Sequence, residues 1–149
     1  MIDDLYSARI LTLAANLPRA GLLDAPHGTG HRVAKLCGST ATVDVLLDGA
    51  GRVADFAQTV KACALGQAAA SVLGEHVIDA AGDEIEQARD ALAAMLKAGG
   101  PGPDGRFADL RVLKQVADYP ARHASTLVAV EAALEAVRAA ERARLSGAA

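Results

Sequence analysis

Tryptophan is absent from the 149-residue chain, and with two tyrosines and two phenylalanines the aromatic share is only 3%. Stacking on single-stranded nucleic acid needs more rings than that. The basic residues are scattered through a chain of net charge -3, so the clustered cations of a nucleic-acid footprint are missing as well. No apolar run approaches the roughly 20 residues that span a bilayer. Only two cysteines are present, Cys37 and Cys63, a poor disulfide framework for a secreted protein but one that suits reduced thiols in a cytosol. The opening Met1-Ile2-Asp3-Asp4 carries two acids where a signal peptide is basic and a transit peptide acid-poor. These absences lead to the expectation of a cytoplasmic protein with no nucleic-acid and no membrane partner.

What is present is apolar surface, 52% of residues, enough for one domain over 1–149 that needs no staple. Ile2, Leu5, Ala8, Leu13 and Ala14 suggest a short N-terminal helix that ends at Leu17-Pro18, since the residue before proline is pushed out of the helical region. From Thr40 to Asp48 the pattern turns to period two, with Val43, Val45 and Leu47 on one face. Asp48-Gly49-Ala50-Gly51 then supplies turn residues, and Arg52 to Lys61 places Ala54, Phe56 and Val60 at alternate positions, so a β-hairpin is expected. His31 to Leu36 is a candidate third strand.

After Cys63 the period becomes helical. Leu65, Ala68, Ala69, Val72 and Leu73 form one stripe, and Ile85, Ala88, Leu92, Met95 and Leu96 form a second behind a capping pair at Asp83 and Glu86. Gly99-Gly100-Pro101 stops that helix. Phe107 to Val116 reads as a short helix, Pro120 as a first-turn proline, and Leu127, Val130, Leu134 and Val137 as the stripe of a last helix. The fold class is therefore α+β: a small antiparallel sheet of about three strands, an N-terminal helix, and several C-terminal helices packed on one face. The core is expected over about 3–138, with 139–149 a frayed tail.

Three residues stand out chemically. Cys63 falls where a strand gives way to a helix, near free N–H groups and the positive end of the dipole, which favours its thiolate and makes it the expected more acidic thiol. Cys37, in Leu36-Cys37-Gly38-Ser39, lies across the hairpin ladder from residue 62 if the Thr40 and Arg52 strands pair through the Asp48 turn. His123 lies four residues before Leu127, on the inward stripe of the last helix. Two thiols and an imidazole suit zinc or iron. Taken alone, such residues are more often two inert buried thiols and a hydrogen-bonded core histidine than ligands. His27, His31 and His76 read as surface or loop residues, and Asp83, Glu84 and Glu86 as dipole compensation at a helix start.

Four segments, in order, resemble motifs of the U-type iron–sulfur cluster assembly scaffold family, the IscU, SufU and NifU N-terminal group. Asn16-Leu17-Pro18-Arg19-Ala20-Gly21 resembles its Asn-Pro-Arg-x-x-Gly segment with one residue inserted. Leu36-Cys37-Gly38-Ser39 resembles its Cys-Gly-Asp/Ser turn, and Lys61-Ala62-Cys63-Ala64-Leu65-Gly66-Gln67-Ala68 its Gly-Cys-x-x-x-x-Ala junction. Ala121-Arg122-His123-Ala124-Ser125-Thr126-Leu127 resembles the stretch that opens its last helix. The likeness runs from about residue 3 to residue 138.

The resemblance implies a non-enzymatic scaffold or carrier that binds iron and a labile [2Fe-2S] cluster, or zinc, through Cys37, Cys63 and His123. It further implies sulfur supplied by a cysteine desulfurase, with Cys63 the candidate persulfide acceptor, delivery to iron–sulfur acceptor proteins, and a monomer or weak homodimer. Two departures mark a divergent member. The family's third cysteine is matched to Ala124, and the aspartate that often follows Cys-Gly is matched to Ser39. Tyr119-Pro120-Ala121-Arg122 also departs from the Leu-Pro-Pro-Val-Lys sequence recognised by the chaperone of IscU-type members. Two further readings of the resemblance are a zinc-dependent SufU-like sulfurtransferase, although that branch's long insertion between Cys63 and His123 is not evident, and a degenerate regulatory binding subunit. A Cys-His hydrolase finds no orienting residue or oxyanion motif here.

Overall fold

The structure, a computed structural model, describes residues 5–146. The Met1–Asp4 opening and the last three residues of the tail lie outside the described residues. Three strands, β1 (Gly28–Ala34), β2 (Ser39–Leu47) and β3 (Val53–Lys61), form one antiparallel sheet in the order β1-β2-β3. The β2–β3 hairpin forms as its pattern predicts, with Thr40 opposite Lys61 and Val45 opposite Phe56. A register shift at Leu46/Leu47 sets Val53 against Leu47 and Asp55 against Leu46, leaving Ala54 without a partner. That irregularity reverses the expected facing at one point: Val53 and Phe56 are buried and Ala54 is exposed.

Strand β1 starts at Gly28 rather than His31, because its glycines serve contact rather than a turn. Helix α4 lies so close over β1 that a Cβ at Gly30 would fall on the Ala132 carbonyl oxygen, and one at Gly28 on that of Ala136. On the opposite face Asp44 is buried beneath the loop before β1, where its carboxylate accepts from Thr29 Oγ1 at 2.7 Å and from the Leu23 N–H at 3.1 Å.

The helices are α1 (Ala8–Ala15), α2 (Ala64–His76), α3 (Gly82–Ala98) and α4 (His123–Leu145). Ser7 caps α1 by accepting the Ile10 N–H at 3.3 Å. Every apolar residue expected on the stripes of α2, α3 and α4 is buried. At the start of α3 it is Glu84, not Glu86, that reaches back to the Ala81 N–H at 3.0 Å, and Ala81 has no oxygen with which to return the bond. The stretch expected as a short helix over 107–116 is a 3-10 stretch, Gly105–Asp118, broken at Phe107.

Helix α4 does not fray at Arg138. It continues to Leu145 because Ala140 is buried against Gly28 and Arg144 donates to the Leu47 carbonyl at 3.3 Å. Arg138 bonds Asp83 and Glu86 of α3 at 3.1 and 3.3 Å and so fastens α4 to α3. Packed between the sheet and helices α2 and α3, α4 thus carries its N-terminal turn to a fixed place at one end of β2. Among the described residues no helix is long and apolar enough to cross a membrane.

Candidate functional site

Three chain segments meet at that end of the sheet. The turn between β1 and β2 carries Cys37, and Gly38 closes it with φ +72° while its N–H donates to the Ala34 carbonyl at 2.9 Å. The β3–α2 junction carries Cys63 at the N-cap position of α2, two residues beyond Lys61, which ends β3. The first turn of α4 brings Ser125, which is buried.

The side chains form a chain of contacts. Cys37 Sγ lies 3.0 Å from Ser39 Oγ, Ser39 Oγ lies 2.9 Å from Ser125 Oγ, and Ser125 Oγ lies 3.3 Å from Cys63 Sγ. Two hydroxyls therefore bridge two thiols. Cys37 is exposed and Cys63 half-buried, and both open on one pocket of about 680 Å³ whose wall includes Lys61, Gln67 and Arg122. A smaller cavity of about 260 Å³, between α3 and the loop before the 3-10 stretch, has no thiol in its wall, and its Glu84 and Arg106 pair with each other at 3.1 Å.

Of the three residues singled out from the sequence, the structure brings Cys37 and Cys63 together. His123 faces inward as its spacing predicts, but its Nε2 lies 3.0 Å from the Val116 carbonyl and 3.3 Å from that of Ala117. Those carbonyls accept from Nε2, so in the neutral ring Nδ1 holds the free lone pair. Among the described residues no three histidine, cysteine, aspartate or glutamate side chains form a group that could hold a metal ion.

One expectation from the sequence changes, and one thiol gains a physical description. Ala124, matched there to the family's third cysteine, is exposed, and the neighbouring Ser125 is the residue that faces both thiols. At Cys37, hydrogen bonds from the Ser39 hydroxyl and backbone N–H hold the thiol pKa below the ordinary value, against a smaller opposing effect of burial, and Ser125 adds to them. Ser39→Ala, in a Cys63→Ser background, is therefore expected to raise the Cys37 pKa and slow its alkylation by iodoacetamide near pH 7. The difference should close above a pH of about 10, where Cys37 is largely ionised in either protein. Identical pH profiles would mean that the hydroxyl does not donate to the thiolate.

A family model, the NifU-like N terminal domain, matches residues 5–126. Among solved structures the chain is 50% identical to a nitrogen-fixing NifU-like protein (N-terminal) from Brucella abortus, over 95% of this chain and 97% of that one, with a TM-score of 0.91. It is 21% identical to a candidate iron–sulfur cluster assembly scaffold protein for the SUF system from Fervidobacterium islandicum AW-1, over 89% of this chain and 96% of that one, with a TM-score of 0.80. That second likeness shows the fold alone. None of the curated proteins compared matches the chain.

Proposed function

This chain belongs to the family of NifU-like N-terminal domains, and on that premise we propose that it is an iron–sulfur cluster assembly scaffold or carrier rather than an enzyme. Its cargo is iron and sulfide, as a labile [2Fe-2S] cluster: a scaffold thiolate takes sulfane sulfur from the persulfide of a cysteine desulfurase, whose own thiolate leaves, a two-electron external reductant brings that sulfur to sulfide, and the cluster passes to acceptor proteins. The observation that carries this reading is the pair of thiols set at the mouth of one pocket and linked through Ser39 and Ser125. Thiolates are the soft donors that iron and zinc prefer, whereas a serine hydroxyl is a weak one. Such a donor set suits exchange more than storage, since closed structural sites have four strong ligands.

Cys37 and Cys63 are the proposed ligands. His123 joins them in this proposal through Nδ1 alone, because Nε2 is held by the backbone. Cys63 was the expected persulfide acceptor, but the exposure of Cys37 and its lowered pKa make Cys37 the thiol proposed to receive sulfur first.

Anaerobic reconstitution with ferrous iron and sulfide tests the reading. Wild type should gain visible absorption and bound iron, and Cys37→Ser or Cys63→Ser should lose most of both. A wild type that stays colourless and iron-free, or a double variant that colours equally, would overturn it. The lowered pKa of an exposed thiol also favours a second reading, a zinc-dependent sulfurtransferase partner of the desulfurase. Zinc in untreated protein with no cluster after reconstitution would select that one.

A further inference from the structure

The thiol pocket is electropositive in a chain whose net charge is -3. Both charged side chains in its wall are cations, Lys61 and Arg122, and no carboxylate lines it. Lys61 is exposed and Arg122 half-exposed, and among the described residues neither forms an ion pair, whereas most of the other arginines do. The third positive source is the start of α2: no side chain caps it, its first turn holds no acidic residue, and Cys63 stands at its N-cap. Free N–H groups there point to the same end of the sheet as the two side chains. Among the described residues no carboxylate in the pocket wall answers these three.

The pocket is also far larger than one metal ion needs. It is an open depression rather than an enclosed cavity, and its mouth is wide enough to admit a small molecule beside the thiols. Its wall supplies two soft donors, the Cys37 and Cys63 thiols, and even with His123 joining them from outside the wall a tetrahedral metal keeps one position open. An occupant that answers both deficits carries a thiol and more than one carboxylate.

We propose that the pocket binds a small anionic thiol, its carboxylates on Lys61, Arg122 and the start of α2 and its sulfur beside Cys37 and Cys63, where it serves as the additional donor to bound metal. This rests on the scaffold reading above and names the partner of the same site. The ligand enters and leaves with the cargo, which gives a two-thiol site a route to both loading and release.

The test uses reduced glutathione as probe, followed by ¹H–¹⁵N chemical shifts of the metal-free, fully reduced protein. Shifts are expected at residues 37–39 and 63–67, with 2-mercaptoethanol, a neutral thiol, producing none at equal concentration. Lys61→Gln combined with Arg122→Gln should weaken glutathione binding by about tenfold, as the loss of two screened ion pairs would do. Both positions lie at the surface, and dispersion of the variant spectrum checks its fold. In parallel, Co(II) added to wild type reports thiolate ligation through its charge-transfer absorption, which should strengthen when glutathione is added. Glutathione binding of equal strength in the double variant, equal shifts from 2-mercaptoethanol, or an unchanged Co(II) spectrum would overturn the proposal. Failure of Co(II) to bind Cys37 and Cys63 at all would instead overturn the scaffold reading.

Discussion

Gly30→Val is expected to destabilise the protein by about 3 kcal/mol or more, a fall in Tm of roughly 10 °C for a domain of this size. A Cβ at position 30 would fall on the Ala132 carbonyl oxygen and come within 2.7 Å of the Ala136 N and 3.0 Å of the Glu135 Cβ. Two of these three are main-chain atoms of α4 and have no rotamer to escape into. The helix must lift from the sheet, and lifting it opens the small-residue seam that Gly28, Ala132, Ala136 and Ala140 share. The same displacement draws Ser125 away from Ser39 and Cys63, so Cys63 should also become more reactive toward alkylating agents. Gly49→Ala, where an added Cβ meets nothing within 4 Å, is the matched control and should stay within about 0.5 kcal/mol of wild type. A Gly30→Val protein with the Tm of wild type would mean that α4 does not sit where the structure has it.

Much of this fold was legible in the sequence because its helices obey one period and its hairpin another. The stripes of α2 and α3 fall on buried positions, and the Asp48–Gly51 turn joins the two strands it was expected to join. The reading failed where a residue has two meanings. Glycine is more commonly a loop former, whereas Gly28 and Gly30 allow a helix to approach a strand, which is why the candidate strand was begun only at His31. Alternation across β3 was extrapolated through a register shift that no single residue announces, so Ala54 was turned the wrong way.

The site was half legible for a related reason. Cys37 and Cys63 follow from strand pairing alone, since Thr40 opposite Lys61 brings the two flanking segments to one end of the ladder. His123 and Ser125 depend on a helix that is buried on nearly every side, where a stripe at i and i+4 no longer identifies one privileged face. The available signal for Ser125 was chemical: with Thr126 it forms a pair of small hydroxyl residues just before the apolar run from Leu127, two positions into a helix that has to reach the sheet. The inward direction of His123 was foreseen, but not the carbonyls of Val116 and Ala117 that take its Nε2, because they belong to a 3-10 stretch whose path the sequence does not specify.

Ser125→Cys should tighten metal binding by about a hundredfold, a scale on which even outer-shell partners alter metal affinity, whereas Ala124→Cys should leave it within about twofold of wild type. Ser125 Oγ already lies 3.3 Å from Cys63 Sγ and 2.9 Å from Ser39 Oγ, so a sulfur in its place lies beside Cys63 and beside the hydroxyl that joins it to Cys37. Position 124, one residue earlier, turns about 100° away on the helix and is exposed, and a sulfur there meets solvent. Exchanging one oxygen for sulfur enlarges a buried side chain only slightly and removes one good hydrogen bond, a cost of about 1 kcal/mol that the fold should tolerate. Three thiolates convert an exchanging site toward a retaining one, because each soft donor added slows the departure of the metal. Competition with a chelator for Zn(II), under reducing anaerobic conditions and with circular dichroism as the fold check, measures the effect. If Ala124→Cys binds Zn(II) more tightly than Ser125→Cys, the first turn of α4 is rotated from the arrangement described here. Equal affinities in all three proteins would mean that the metal is held at neither position and that Cys37 and Cys63 do not share one ion.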